Sequence, residues 1–426
     1  MSSSDFARLP GFRDFPPEDL ALRSHILEAW RRVSRRYGFV EYDGPPLEPL
    51  ELYVEKSGAE IVDQLYAFTD KGERQVALRP EMTPSLARIL GGRSRAMSKP
   101  IRWFSVPQLF RYERQQRGRL REHFQWNVDV VGEAGVAADA EVLAVGIDGL
   151  RELGLTAADV RARVSDRRLL GASLVALGVQ EERLPAAFAV VDKVERQTED
   201  ETAASLRGVG LAAGRVRDVL ELLGAGGTEY VESRLGDREE VGAELERISA
   251  YMGMLAAMGL GDYVEVDLRI VRGLAYYTGI VFELFDRRGE LRAICGGGRY
   301  DRLLELVGGE PQPAAGFGMG DVVLGELLAE RGLRPRFERA LDYFLVPVTP
   351  EQRDAVLRIA HALRDHGRSV AYALREQAVG KQLKAAGREG AREVLIVGPE
   401  ELERGCVVAR DMSSGSEREV AIGELG

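Results

Sequence analysis

The chain is poor in several things. Its 426 residues include two cysteines, Cys295 and Cys406, far apart and without zinc-ligand spacing. That argues against a disulfide framework and favours a reducing compartment. Four histidines occur without triad or metal-ligand spacing, so the sequence points to no metal site and no histidine base. No apolar run approaches bilayer-spanning length, and the opening MSSSDFARLPGFRDF has no apolar signal core. The expected location is therefore cytoplasmic, away from membranes. Positive charge is in deficit, 58 Lys and Arg against 68 Asp and Glu, a net charge of −10. That argues against a non-specific polyanion binder. Any nucleic-acid partner must be met by local basic patches working against the overall field. The 45% hydrophobic and 30% charged content is ordinary for a globular protein, and the length implies two or three domains.

What is present centres on Pro107 to Glu133, PQLFRYERQQRGRLREHFQWNVDVVGE. It reads as two strands joined by a basic hairpin loop. Strand side chains alternate, so Arg111 and Glu113 are expected on one face going out. On the return, Phe124, Trp126, Val128 and Val130 share an apolar face, while His123, Gln125, Asn127 and Asp129 share a polar one. Such a strand can floor a pocket. Five arginines, Arg111, Arg114, Arg117, Arg119 and Arg121, fall within eleven residues. That density suits a polyphosphate. A salt-laced surface hairpin is the competing account, and it does not require the polar return face.

Elsewhere the periodicity predicts a helix from Pro16-Pro17 to about Tyr37, with Leu22, Ile26, Trp30, Val33 and Tyr37 on one face. A hairpin is expected over LYAFTDKGERQV, turning at Asp70-Lys71-Gly72. In LRPEMTPSLARIL, Thr83 reads as a helix cap ahead of Pro84. Glu81 and Thr83, two residues apart, also suit an ammonium group. From 168 to 258 the chain reads as helical, with no constellation of catalytic residues. Beyond it, VRGLAYYTG and CGGGRY flank a hairpin, and the glycines permit close backbone approach. After RGLRPRFER, strand and helix patterns alternate, predicting a compact α/β domain with a mixed sheet. Arg375, Lys381, Lys384 and Arg388 form its basic cluster.

Several of these strings resemble a known family. FRYE, the basic loop and the returning strand resemble motif 2 of class II aminoacyl-tRNA synthetases, and RGRLREHFQ followed by Asp129 resembles the histidyl-tRNA synthetases in particular. LRPEMT and RGLAYYTG resemble that family's own signatures, with Ala275 where many members have aspartate. YGFVEYDGPPLEPLELYVEKSG resembles motif 1, with Pro45 at the motif's proline, which implies a homodimer. GFGMGDVVLGELL sits where motif 3 belongs, but Val322 and Val323 occupy the region of its adenine-stacking arginine. Adenine must then be held from elsewhere.

The resemblance implies an α+β fold: a class II antiparallel-sheet catalytic domain with a helical insertion, then an α/β anticodon-binding domain. The implied spans are 1–167 and 259–333 for the catalytic domain, 168–258 for the insertion and 340–426 for the last domain. The implied reaction joins L-histidine to tRNA(His) by way of histidyl-adenylate, using ATP with magnesium held mainly through the phosphates. Arg111, Glu113 and Arg272 would be catalytic, and Arg111, Glu113 and Arg119 would hold ATP. Histidine would lie among Glu81, Thr83, Arg111, Gln125, Asp129, Arg272, Tyr276 and Tyr277, while Gln116 and Arg117 would face the tRNA acceptor stem. Asp129 replaces the glutamate of many relatives, and His123 is expected to be a strand-face or loop contact rather than a catalytic base. The alternatives are a histidine-binding regulatory subunit of ATP phosphoribosyltransferase, or a sensing module of a larger regulator. The retained C-terminal domain and Arg272 favour the ligase.

Overall fold

Alternation along β7 (Glu122–Val131) sets the core. Trp126, Val128 and Val130 are buried on one side, and the opposite side is left for polar groups. Helix α1 (Pro17–Arg36) lies against the apolar side through Ile26, Trp30 and Val33. Trp30 stacks on Trp126 with ring centroids 5.9 Å apart, and the Trp126 indole N–H donates to Ser34 Oγ at 2.9 Å. The computed structural model describes residues 7–54, 63–114, 116–272, 276–302, 304–307, 309–337 and 340–425. Ala275 and the end of the motif 1 segment, residues 55–58, lie outside the described residues.

By internal contacts the chain forms two units, Met1–Pro335 and Arg336–Gly426. In the first, the strands are β1 (Val40–Glu41), β2 (Leu47–Pro49), β3 (Tyr66–Thr69), β4 (Gln75–Leu78), β5 (Ile101–Ser105), β6 (Gln108–Phe110), β7, β8 (Val160–Asp166), β9 (Val264–Val266), β10 (Ile280–Asp286), β11 (Cys295–Arg299) and β12 (Ala314–Gly320). The helices after α1 are α2 (Glu51–Val54), α3 (Thr83–Gly91), α4 (Val136–Glu152), α5 (Arg167–Ala176), α6 (Leu184–Val191), α7 (Glu199–Gly208), α8 (Ala213–Ala225), α9 (Glu229–Leu235), α10 (Glu239–Ala257) and α11 (Asp321–Glu330). A nine-stranded sheet runs β1-β5-β7-β12-β11-β10-β8-β9, with β6 paired to the start of β7. Its inner pairings are antiparallel, and only the outer pairs β1/β5 and β8/β9 are parallel. Strands β2, β4 and β3 form a separate three-stranded sheet.

Helix α4 packs so closely on β7 that a Cβ at Gly149 would meet the Trp126 ring, 2.9 Å from Cη2. Helices α5 to α10 build their own apolar cluster, including Leu169, Leu174, Val219, Leu222 and Ile248.

The second unit has a five-stranded sheet, β14 (Val370–Tyr372), β13 (Leu341–Pro347), β15 (Ala391–Val397), β16 (Cys406–Asp411) and β17 (Glu417–Ala421), in that spatial order. The first three are parallel and the last two antiparallel, a mixed sheet. Period-two alternation in β13 serves both faces. Tyr343 and Leu345 meet α12 (Arg353–Asp365), and Phe344 and Val346 meet α13 (Val379–Arg388). A short helix, α14 (Pro399–Glu403), follows β15.

Two local expectations are corrected. Strand β6 ends at Phe110, so Arg111 and Glu113 are not strand residues. The Arg111 N–H still donates to Arg121 O at 2.9 Å, but the Glu113 N–H then turns back to Arg111 O at 2.8 Å and bends the chain away. Thr83 is the first residue of α3 rather than its cap; Met82 holds the cap position without a side-chain bond. Thr83, inside the helix, instead lines a cavity.

Candidate active site

The polar side of β7 faces a cavity of about 370 Å³. In register, Gly316 of β12 lies opposite Asp129, Gly318 opposite Asn127 and Gly320 opposite Gln125. A Cβ at Gly316 would sit 2.5 Å from Tyr300 Oη and on Asp129 Oδ1, and one at Gly318 would sit 2.7 Å from Gln125 Nε2. On β11, a Cβ at Gly296 would overlap the Arg272 guanidinium, 2.8 Å from Nη2. The glycines are therefore a floor on which Asp129, Gln125 and Arg272 lie flat.

At one end of the cavity, the buried Asp129 accepts a hydrogen bond from the Tyr300 hydroxyl. Burial pushes the Asp129 carboxyl up to about 7, with the Tyr300 bond working against it. Tyr276 and Tyr277 close this end, their rings 4.8 Å apart, and Tyr276 meets Tyr300 edge-on at 6.0 Å. Glu81 is buried at the same cavity, beside Thr83 and Gln125.

Toward the other end the lining turns basic. Arg111 is oriented by donating from Nε to Pro80 O at 2.9 Å. Arg119 is ion-paired with the buried Glu113. Burial lowers the Arg119 pKa, opposed by Glu113 and reinforced by Arg292 and Arg111. Arg272 donates from Nη1 to Glu283 Oε1 at 3.0 Å and lies 5.6 Å from the Tyr277 ring centre. Its φ of 52 is left-handed, a strained conformation for an arginine. Its Nε is buried with no hydrogen-bond partner among the described residues. An adjoining cavity of about 280 Å³ shares Arg111, Glu113, Arg119, Gln125 and Arg272 and adds His123, Glu283 and Arg292. His123 is held to about 3 by burial, then by Arg111 and Arg13, so its ring is neutral at physiological pH.

Glu81, Thr83, Arg111, Glu113, Arg119, Gln125, Asp129, Arg272, Tyr276 and Tyr277 thus line one cavity, although they span nearly 200 positions of sequence. Gln116 and Arg117 do not join them. Gln116 is exposed on the loop, and Arg117 is ion-paired with Glu326 and Glu330 of α11. Asn127, Glu283 and Tyr300 were given no site role from sequence. The available signals were the third polar position on β7, a lone acid inside the apolar VFELF, and the tyrosine closing GGGRY.

A profile of the histidyl-tRNA synthetases matches residues 11–320, and one of the anticodon-binding domain matches 342–426. The chain belongs to the histidyl-tRNA synthetase family. A curated histidine–tRNA ligase from Opitutus terrae is 46% identical over 419 residues, covering 97% of this chain and 96% of the relative. A solved histidyl-tRNA synthetase from Nostoc superposes with a TM-score of 0.81 at 24% identity, covering 99% of this chain and 98% of that one. A structure described as an ATP phosphoribosyltransferase regulatory subunit/histidyl-tRNA synthetase from Bacillus halodurans gives 0.76 at 24% identity, covering 92% and 98%. Fold therefore does not separate ligase from regulatory subunit, whereas the histidine–tRNA ligase relative aligns with 97% of this chain, the C-terminal domain included. The large sheet is antiparallel in its centre, and the anticodon-binding domain follows it in sequence.

Proposed function

We propose that this chain is a histidine–tRNA ligase, which activates L-histidine with ATP and transfers it to the 3′ end of tRNA(His). The observation that carries the reading is that Arg111 and Arg272, far apart in sequence, line one cavity with Glu81 and Asp129. An amino-acid activating site must hold an ammonium group and a triphosphate side by side, and acids at one end with arginines at the other meet that demand. The Glu81 carboxylate, the Thr83 hydroxyl and Gln125 receive the ammonium group. Asp129 and Tyr277 hold the imidazole, and Tyr300 orients Asp129. Paired polar contacts of this kind reject isosteres that lack the same donors and acceptors.

The histidine carboxylate attacks the α-phosphorus, the bond to the bridging oxygen breaks, and pyrophosphate leaves with its electron pair. Phosphoryl transfer asks for positioning and charge neutralisation rather than covalent help. Arg111 and Arg272 neutralise the charge at the α-phosphate, Arg119 meets the outer phosphates, and Glu113 orients the nucleotide. Magnesium is held mainly through the phosphates, because Glu113 and Glu283 at this end are already ion-paired. The ribose hydroxyl of the tRNA then attacks the acyl carbon and AMP departs. Gln116 and Arg117 meet the acceptor stem, Arg117 by exchanging its helix partners for phosphate. The exposed cluster Arg375, Lys381, Lys384 and Arg388 meets the anticodon arm.

The functional unit is a homodimer, supported by exposed apolar side chains at Val40, Leu47, Val54 and Phe68 in and beside the motif 1 segment. It works in the cytoplasm, supported by two unpaired cysteines and by the lack, among the described residues, of a helix long and apolar enough to cross a membrane. Histidine-dependent exchange of pyrophosphate into ATP, followed by charging of tRNA(His), tests the assignment. Absence of exchange refutes it in favour of a binding subunit.

A further inference from the structure

The adjoining cavity has no residue yet assigned to the adenine base. Val322 and Val323, at the head of α11 where the class II pattern carries an arginine, both line it, and Leu120 and Ile294 extend the apolar surface. Such a surface can take one face of a purine; the other face needs a planar group.

Arg292 lines the same cavity. Two residues on, Ile294 is fixed from both sides: its N–H donates to Leu284 O at 2.8 Å, and its carbonyl accepts from the Gly320 N–H at 3.4 Å. The stem carrying Arg292 is thereby tied to the turn that presents Val322. The Arg292 side chain itself is exposed and makes no hydrogen bond or ion pair among the described residues. Its charge is felt at Arg119, and the two acids lining the cavity, Glu113 and Glu283, are committed to Arg119 and Arg272. The phosphates already have Arg111, Arg119 and Arg272, while Arg292 lines the same cavity as Val322, Val323 and Ile294 and has no role yet.

We infer that Arg292 stacks its guanidinium plane on the adenine of ATP, closing the base against Val322 and Val323 in place of the missing motif 3 arginine. Guanidinium planes stack on bases, whereas an ammonium group is a point charge without a face to offer. The inference rests on the ligase reading for its substrate.

The test uses the full chain with Arg292→Ala and Arg292→Lys. Because the residue is exposed and unpaired, the thermal midpoint should not move. In pyrophosphate exchange, Arg292→Ala should raise KM for ATP about tenfold, the scale of one such stacking contact, and leave KM for histidine unchanged. Adenosine, which has no phosphate, should lose affinity by the same factor in calorimetry, and lysine should not restore it. Unchanged adenosine affinity with weakened pyrophosphate inhibition would make Arg292 a phosphate ligand and overturn the inference. No change in either would make it a solvated surface arginine and overturn it equally. A wild type without exchange counts against the ligase reading, while adenosine calorimetry still decides the role of Arg292.

Discussion

Gly296→Ala should separate activity from stability. The position is a strand residue of β11 whose φ is not left-handed, so the backbone accepts alanine. The added methyl would overlap Nη1 and Cζ of Arg272 and come within 2.8 Å of Nη2. The flexible guanidinium must yield, and in yielding it leaves both Glu283 and the position proposed above to face the α-phosphate. A positioned donor to developing charge is worth about 10²–10³ in rate, roughly 3–4 kcal/mol. For stability the effects nearly cancel. Alanine gains about 0.4–1 kcal/mol from reduced freedom of the unfolded chain, and the lost pair with Glu283 costs a similar amount. The expected result is kcat for pyrophosphate exchange down a hundredfold or more, with a urea midpoint within error of the parent. Arg272→Ala should lose as much, and the double variant should lose no more than either alone. Full activity in Gly296→Ala would refute the argument, because the guanidinium resting on that glycine would then have no part in the reaction. A large loss of stability would refute it too, by making the glycine a packing requirement.

Three further outcomes follow from the same geometry. Asp129→Asn should abolish a pH dependence of stability. The carboxyl titrates near 7 when folded and near 3.9 when unfolded, so between about pH 4 and 7 only the unfolded chain ionises. Stability conferred by the protonated form is complete below pH 4 and falls as pH rises through 7, by a total approaching roughly 4 kcal/mol. His123, held to about 3, acts in the opposite sense below about pH 6.5, so urea curves at pH 5 and 8 are compared between parent and variant; parallel shifts would contradict the assignment. Tyr300→Phe strips Asp129 of its hydrogen-bond donor and should raise KM for histidine about tenfold, in line with one lost charge-assisted bond, with KM for ATP unmoved. Equal effects on both substrates would argue for general disruption of the site. Asp139→Ala removes the buried carboxylate bonded at 2.6 Å to Arg299, itself 3% exposed, and leaves that guanidinium only Asp301 at 3.1 Å and the carbonyls of Glu133 and Gly135. It should cost about 1.5–3 kcal/mol in chemical denaturation, and a loss under 1 kcal/mol would mean that Asp301 and the two carbonyls hold Arg299 without Asp139.

The faces of β7 were legible because a period of two assigns every side chain once the apolar set is known, and Trp126 and Asp129 fell on opposite sides as that period requires. The fate of Arg111 and Glu113 was less so. Both were expected on a strand, but whether a ladder continues past Phe110 depends on where Glu113 and Tyr112 send their N–H groups, to Arg111 and to the distant Gln64. Thr83 reads equally as a cap or as a helical residue until the cavity beside it is known. Tyr300 and Glu283 are tertiary facts: one meets an acid 171 positions away and the other an arginine eleven positions away across a loop. The glycines of GFGMG were visible as a pattern, yet only the strand opposite, carrying Gln125 and Asp129, says what they make room for.

The sheet order gives that pattern its consequence. Strand β7 supplies the acid end, β12 the bare floor, and β11 the glycine on which Arg272 rests, so the two ends lie two strand spacings apart, about 10 Å. Hydrogen bonding between strands fixes that span, and no loop need close to set it. The arginines are oriented in advance as well, Arg119 by Glu113 and Arg272 by Glu283. In a chain of net charge −10, such pairing keeps the guanidinium groups aimed at the cavity rather than at the many acids elsewhere. On the proposed reading a polyphosphate meets donors already in place, and the reorganisation that would otherwise oppose charge transfer at the α-phosphorus is completed by folding.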